Sequence, residues 1–211
     1  MNQSTFYKTH VTDVYEKIAD EFDDKRFTYM PGTKEFLEMF NANEKILDVG
    51  CGTGINMIYN PDLNFTGIDN CKNFVTICKN KGLNVEIGDI LNIEYGCNYF
   101  DGVMCISVIH HLTSVPDRLQ AINELLRVCK VGGKILIQTW EFSNSLENKK
   151  FTCIDKNDYL VKWKNGNDRY YHLFTKEELI ELIENVDDCK IVSFEKIRHN
   201  FSIVLEKIQN F

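Results

Sequence analysis

Residues 47–54 read LDVGCGTG, with glycines at 50, 52 and 54 and an acid at Asp48. Alternating glycines free the backbone from Cβ, so a flat or bulky ligand can lie directly against it. An apolar run, KILDV at 45–49, leads into this turn and reads as a strand. A glycine turn after a first strand is where an open α/β sheet binds its ligand. The nucleotide-binding pattern G-x-G-x-x-G fails here, because its third glycine position holds Ile55. An acid two residues before the first glycine also repels a pyrophosphate. It can instead receive an ammonium group, directly or through water.

S-adenosylmethionine meets these demands. It carries no phosphate, has a cationic amine, and presents an adenosine that must lie against backbone. Asp69 ends a second apolar run, LNFTGID, and is placed to accept both ribose hydroxyls; hydrogen bonds to a charged group contribute roughly 1.5–3 kcal/mol each. Asp89 ends a third run, LNVEIGD, and with Ile90 is expected to flank the adenine. The expected donor pocket is Asp48, Gly50, Cys51, Gly52, Gly54, Asp69, Asn70, Asp89, Ile90 and Ile106.

The elements that must position these residues follow from periodicity. Val11, Val14, Tyr15, Ile18, Ala19 and Phe22 share one helical face over 11–22. A short helix follows Thr33, and residues 1–41 read as a helical N-terminal segment. Asn70 is expected to cap a helix over 71–81 that Gly82 stops. YFDGVMCIS, 99–107, is a fourth strand. Asp117 is expected to start a helix carrying Leu119, Ile122, Leu125, Leu126 and Cys129, stopped by Gly132 and Gly133. KILIQTW, 134–140, is a fifth strand. Residues 141–168 show no pattern and read as a loop or insertion near the site. Thr175 and Glu178 form a capping box opening a helix to about Val186. KIVSFEKIR and FSIVLEKI then read as strands joined by a tight turn at His199 and Asn200.

Strands alternating with helices imply a parallel sheet with helices on both faces, and the closing pair must be antiparallel. The expectation is a single α/β domain over 1–211, with a mostly parallel seven-stranded sheet ending in an antiparallel hairpin. The 211 residues are 44% hydrophobic and carry a net charge of -7, which argues against a broad nucleic-acid-binding face but not against a local basic patch. Eight cysteines without a C-x-x-C pair read as reduced thiols of an intracellular protein rather than a metal site. The N-terminus lacks the apolar core of a signal peptide, and no run approaches the roughly 18 apolar residues of a membrane span. A cytoplasmic location follows, with the nucleus as a second compartment.

LDVGCGTG, TGID, GDI and FDGVMCISVIHHL stand in the order of the motifs of class I, Rossmann-like, S-adenosylmethionine-dependent methyltransferases, which the chain resembles over nearly its whole length. Three further stretches narrow the resemblance. VYEKIADEFDDKRFTYMPG (14–32), CISVIHH (105–111) and DRYYHLFTKEEL (168–179) are similar to the eukaryotic tRNA wobble-uridine carboxymethyl methyltransferases, and DYLVKW (158–163) is a weaker echo. The resemblance implies methylation of the carboxylate of 5-carboxymethyluridine in tRNA. It also implies a small zinc-binding activator subunit as partner, docked along the sheet edge at 83–89. The long Lys/Pro-rich tract of larger relatives is missing from 141–168.

A carboxylate acceptor has a pKa near ~4 and is already ionised at neutral pH, so no general base is needed. The work is orientation, which can remove roughly 7–11 kcal/mol from a barrier. Arg26 and Arg169 are the candidate carboxylate grips. His110 and His111 are candidates for positioning the uridine, with helix capping as the alternative for either. One tyrosine of the pair Tyr170 and Tyr171 should enter the core and the other can stack on a base; Tyr171 is taken as the site residue. Lys149, Lys150, Lys156, Lys162, Lys164 and Arg169, with Lys25, Arg26 and Lys34, form either an RNA-binding patch or a solvated charge run. Two other readings remain open: a methyltransferase for a small acceptor such as a quinone precursor, and a non-catalytic methyltransferase-like subunit.

Overall fold

The computed structural model describes residues 3–24, 28–142 and 150–209. In chain order its elements are α1 Gln3–Tyr7, a π-turn Lys8–Thr12, α2 Asp13–Asp23, α3 Thr33–Leu37, β1 Lys45–Val49, β2 Asn64–Asp69, α4 Lys72–Asn80, β3 Val85–Ile87, β4 Phe100–Ile106, α5 Val115–Val128, β5 Cys129–Trp140, β6 Phe151–Asp155, β7 Asp158–Lys162, β8 Asp168–His172, α6 Lys176–Glu184, β9 Cys189–Ile197 and β10 Asn200–Lys207.

Seven strands form the main sheet in the order β3-β2-β1-β4-β5-β10-β9. The first five are parallel, and β10 enters antiparallel between β5 and β9. Successive side chains of a strand face opposite sides of the sheet. Leu47, Val49, Val103 and Cys105 therefore pack with Ile122, Leu125 and Leu126 of α5 and Leu179 of α6. Ile46, Met104 and Ile106 meet Phe36 and Leu37 of α3 on the other side. Both faces are covered, which is why these strands read as unbroken apolar runs. The strand order reverses between β1 and β4, and that switch point opens a crevice at the strands' carboxyl ends.

The N-terminal helix begins earlier than its periodicity predicts, at Gln3, and buries Val11, Val14, Ile18 and Ala19 as expected. Several boundaries differ from expectation. Helix α5 starts at Val115, because Ser114 is the N-cap and accepts a bond from the Asp117 backbone N–H. It ends at Val128, so Cys129 opens β5 instead of closing the helix; Gly133 lies where a Cβ would strike the Asp101 carbonyl and the Cys129 sulfur. Asn70 does not cap α4. Glu16 of α2 does so from a distance, its two oxygens accepting from the backbone N–H of Lys72 (2.6 Å) and Asn73 (3.1 Å). Gly82 follows α4 with φ +77°, as a helix stop requires. The C-terminal turn sits at Arg198 and His199, with Arg198 at φ +57°, and Asn200 already belongs to β10.

Within the expected loop or insertion at 141–168, the described residues from 150 onward hold strands: β6 pairs antiparallel with β7, and β7 with β8, in a separate three-stranded sheet. Each strand has five residues, so the alternation of Phe151, Tyr159 and Val161 spans too few positions to show a period. Strand β3 is a sheet edge, as expected for 83–89. Val85 is buried, however, and Ile87 is the exposed apolar residue, at 52%. All eight cysteines are free thiols. No helix among the described residues is long and apolar enough to cross a membrane.

Candidate active site

The crevice holds a cavity of about 390 Å³, within the range of small-ligand sites. Its floor is backbone. Gly50, Gly52 and Gly54 all have positive φ, at +68°, +54° and +74°. At Gly50 a Cβ would collide with Val108, whereas at Gly52 nothing stands within 4 Å of where a Cβ would go. Gly50 and Gly52 line the cavity; Gly54 does not, and is tucked against Leu83 and Cys78.

Asp69 closes the floor. One carboxylate oxygen accepts from the Gly52 N–H at 2.8 Å and the other from the Cys71 N–H at 2.9 Å. Burial pushes its pKa up to about 6, against the pull of those bonds. Each oxygen keeps a lone pair for a further donor. Asn70, Ile90 and Ile106 also line the cavity. Besides Gly54, three expected donor residues lie elsewhere. Asp48 is buried in β1 and does not reach the cavity wall. The Cys51 side chain packs beneath the turn with Met57, Cys78 and Val85. Asp89 is exposed and accepts from the Leu91 N–H at 2.9 Å, because it closes its own turn. The cradle at Gly52 and the diol-accepting carboxylate beside it suit an adenosine with a free ribose edge.

The opposite wall is made of side chains. Arg169 of β8 is buried, with its guanidinium 4.6 Å from the Trp163 ring and 5.2 Å from that of Tyr171. Among the described residues no carboxylate lies within ion-pair distance of it. Burial works against its charge, but the phenols of Tyr171 and Tyr15 hold its pKa above the ordinary value, so it stays a cation. His111 also lines the cavity. Its Nδ1 is 2.7 Å from the Tyr170 carbonyl, which only accepts, so Nδ1 carries the proton and Nε2 accepts from the Tyr15 hydroxyl at 2.9 Å. Burial drives the His111 pKa down to about 3, and the ring is neutral at any physiological pH. His110 stands behind the wall. Its Nδ1 accepts from the Trp140 N–H, near the Thr139 hydroxyl, and its ring stacks on Tyr171 at 4.8 Å. Both tyrosines of the pair are buried, Tyr171 in the cavity wall and Tyr170 on the other face of β8. Arg26 lies outside the described residues.

The sequence reading missed much of this wall. Tyr15, Phe22 and Phe74 are cavity residues, although the period places the first two on a helix core face. Trp140 and Trp163, the chain's two tryptophans, both line it, and their scarcity was the available signal. Trp163 donates to Glu21 at 3.0 Å and packs against Phe22, so α2 and the small sheet meet over the cavity.

Comparison with known proteins gives a consistent result. The family described as "Methyltransferase domain" matches residues 47–137. The chain is 33% identical to the tRNA (carboxymethyluridine(34)-5-O)-methyltransferase of Schizosaccharomyces pombe, over 94% of this chain and 96% of that one. Other relatives are longer, and the chain spans about a quarter to a third of their length. The fold matches that of Burkholderia thailandensis 1,6-didemethyltoxoflavin-N1-methyltransferase, solved with S-adenosylhomocysteine, at a TM-score of 0.76 and 14% identity, covering 99% of this chain and 92% of that one. It also matches a complex of the Haloferax volcanii Trm112 methyltransferase activator with a putative methyltransferase, at a TM-score of 0.74 and 12% identity, covering 95% of this chain and 99% of that chain.

Proposed function

The chain belongs to the S-adenosylmethionine-dependent tRNA carboxymethyluridine methyltransferases, and from that membership we propose that it esterifies the carboxylate of 5-carboxymethyluridine at the wobble position. The observation that carries this reading is Arg169: a buried cation in the cavity wall, opposite the glycine turn, with no anion of its own among the described residues. A guanidinium so placed grips an incoming carboxylate bidentately.

S-adenosylmethionine, when bound, supplies the electrophilic methyl group on its sulfonium. The chain's own residues then bind and align. Asp69 accepts from the ribose hydroxyls, and the bare Gly50 and Gly52 backbone admits the nucleoside. Arg169 holds the acceptor carboxylate, and Trp163 and Tyr171 confine the guanidinium between their rings. His111 has both nitrogens engaged and stays neutral, which suits a reaction needing no base: it ties Tyr15 to the β8 backbone. The aromatic wall excludes water, which strengthens the ion pair at the acceptor.

The chain acts as one catalytic domain, in a heterodimer with a small zinc-binding activator on the β3 edge. The short unpaired edge with exposed Ile87 supports this, as does the Haloferax complex with its activator. Lys150, Lys156 and Lys162 are exposed around the small sheet and serve the tRNA phosphates; Lys164 is partly committed to Glu21 at 3.8 Å. The test is co-expression with the activator, followed by mass spectrometry of wobble nucleosides from treated tRNA. The methyl ester of 5-carboxymethyluridine is expected; unchanged 5-carboxymethyluridine, with a small acceptor methylated instead, refutes the reading.

A further inference from the structure

Strand β8 carries chemistry on one face and an ionic lock on the other. Arg169 and Tyr171 face the cavity; Tyr170 and His172, one residue out of phase, face away. His172 Nδ1 lies 2.6 Å from Asp158 Oδ1, and Nε2 lies 2.7 Å from Glu178 Oε1. Ionised carboxylate oxygens only accept, so both ring nitrogens must donate and the ring is an imidazolium. Asp158 is the cross-strand partner of His172 on β7, and Glu178 sits in the first turn of α6. The Tyr170 hydroxyl donates to the same Asp158 oxygen at 2.7 Å and receives a bond from Arg118 of α5 at 3.3 Å. Arg118 itself is 4.0 Å from Asp158. Asn157 donates to the other Glu178 oxygen at 3.3 Å. The groups facing His172 are thus Asp158, Glu178, Arg118 and Tyr170, and two cations balance two carboxylates.

We propose that His172 is a positioning residue for the methyl transfer: by bridging Asp158 to Glu178 it fixes β8 against α6 and so sets the height of the Arg169 guanidinium over the donor. This rests on the reading of Arg169 as the carboxylate grip. The network lies outside the cavity, so its effect on chemistry passes through the strand. A misplacement of about 1 Å in a positioned group is enough to slow a reaction on the order of a hundredfold.

The network also gives the device a pH dependence. Burial opposes the His172 charge, but the bonds to Asp158 and Glu178 outweigh it and raise the pKa above the ordinary value. A raised pKa means that the contribution is complete below the ordinary histidine range and is lost as pH rises through the raised value. Catalysis should therefore fall on the alkaline side.

The experiment uses the full chain with its activator. Nitrogen–proton NMR of the imidazole rings should show His172 protonated on both nitrogens near neutral pH; a neutral ring overturns the proposal. His172→Gln should lower kcat/KM for tRNA about tenfold and abolish the alkaline fall. Its calorimetric affinity for S-adenosylmethionine should stay within about twofold. A wild-type pH profile, or a parallel loss of donor affinity, overturns the positioning role. Glu178→Gln, which keeps the histidine, should move the alkaline fall to lower pH, and an unmoved limb counts against the role even if His172→Gln fails to fold. The ring state and donor affinity need no acceptor. Absence of ester product would therefore sink the proposed function while leaving the lock intact, and ester product with an unmoved limb would do the reverse.

Discussion

The two ends of the cavity are built differently. The donor end is backbone: the left-handed glycines Gly50 and Gly52 and one acid tied to two N–H groups, all from residues 50–71. The acceptor end is side chain: Tyr15 and Phe22 from α2, His111 after β4, Trp140 from β5, then Trp163, Arg169 and Tyr171 around β8. A ligand common to a whole enzyme class can be met by a fixed backbone shape. An acceptor peculiar to one branch needs walls that separate segments bring together. Damage at one end should therefore leave the other working.

The largest expected effect is at the acceptor end. Arg169→Met should cut kcat/KM for tRNA on the order of a hundredfold or more, since it removes the partner of a buried charge. Donor affinity by calorimetry should not change, and an equal drop there would merge the two ends. Gly50→Ala attacks the other end. A Cβ at φ +68° costs roughly 1–2 kcal/mol before its collision with Val108 is added. Donor affinity should fall at least about tenfold with a lowered Tm; an alanine variant that binds the donor normally would mean the turn is not the donor floor.

A third effect is titratable. Asp69 has its pKa raised to about 6, and the ionised form is the better acceptor for ribose hydroxyls. Donor affinity should weaken about tenfold one pH unit below that value, and Asp69→Asn should flatten the dependence. The fold responds with the opposite sign. A raised pKa means that the group's contribution to stability is present at low pH and lost as pH rises through about 6. The smallest effect is Tyr15→Phe, which removes the hydroxyl between His111 and Tyr171. A loss near ~1 kcal/mol predicts about a fivefold fall in kcat/KM with the donor constant unmoved.

The contrast also explains what the sequence discloses. The glycine turn, the Asp69 position and the parallel sheet with its hairpin are legible, because backbone demands leave a residue type at a fixed spacing. Asp89 misleads: it has the right spacing, but its carboxylate closes a local turn. Glu16 as the cap of α4 is invisible, since it acts across 56 positions. The same holds for the wall. Tyr15 and Phe22 fit a helix core face by period, and nothing local distinguishes a core face from a cavity lining. Strands β6 and β7 escape because five-residue alternation is too short to read. Arg169 and Tyr171 are found through DRYYHLF, a family stretch, rather than through any physical pattern.

One measurement bears on the central claim that a donor methyl is passed to a carboxylate held at Arg169. Wobble-modified tRNA is labelled from methyl-radioactive S-adenosylmethionine and then treated with mild alkali. An ester gives up its label as methanol, and the Arg169→Met enzyme incorporates almost none. Label that survives alkali on the nucleoside, or incorporation that ignores Arg169, would place the methyl on another atom and contradict the account.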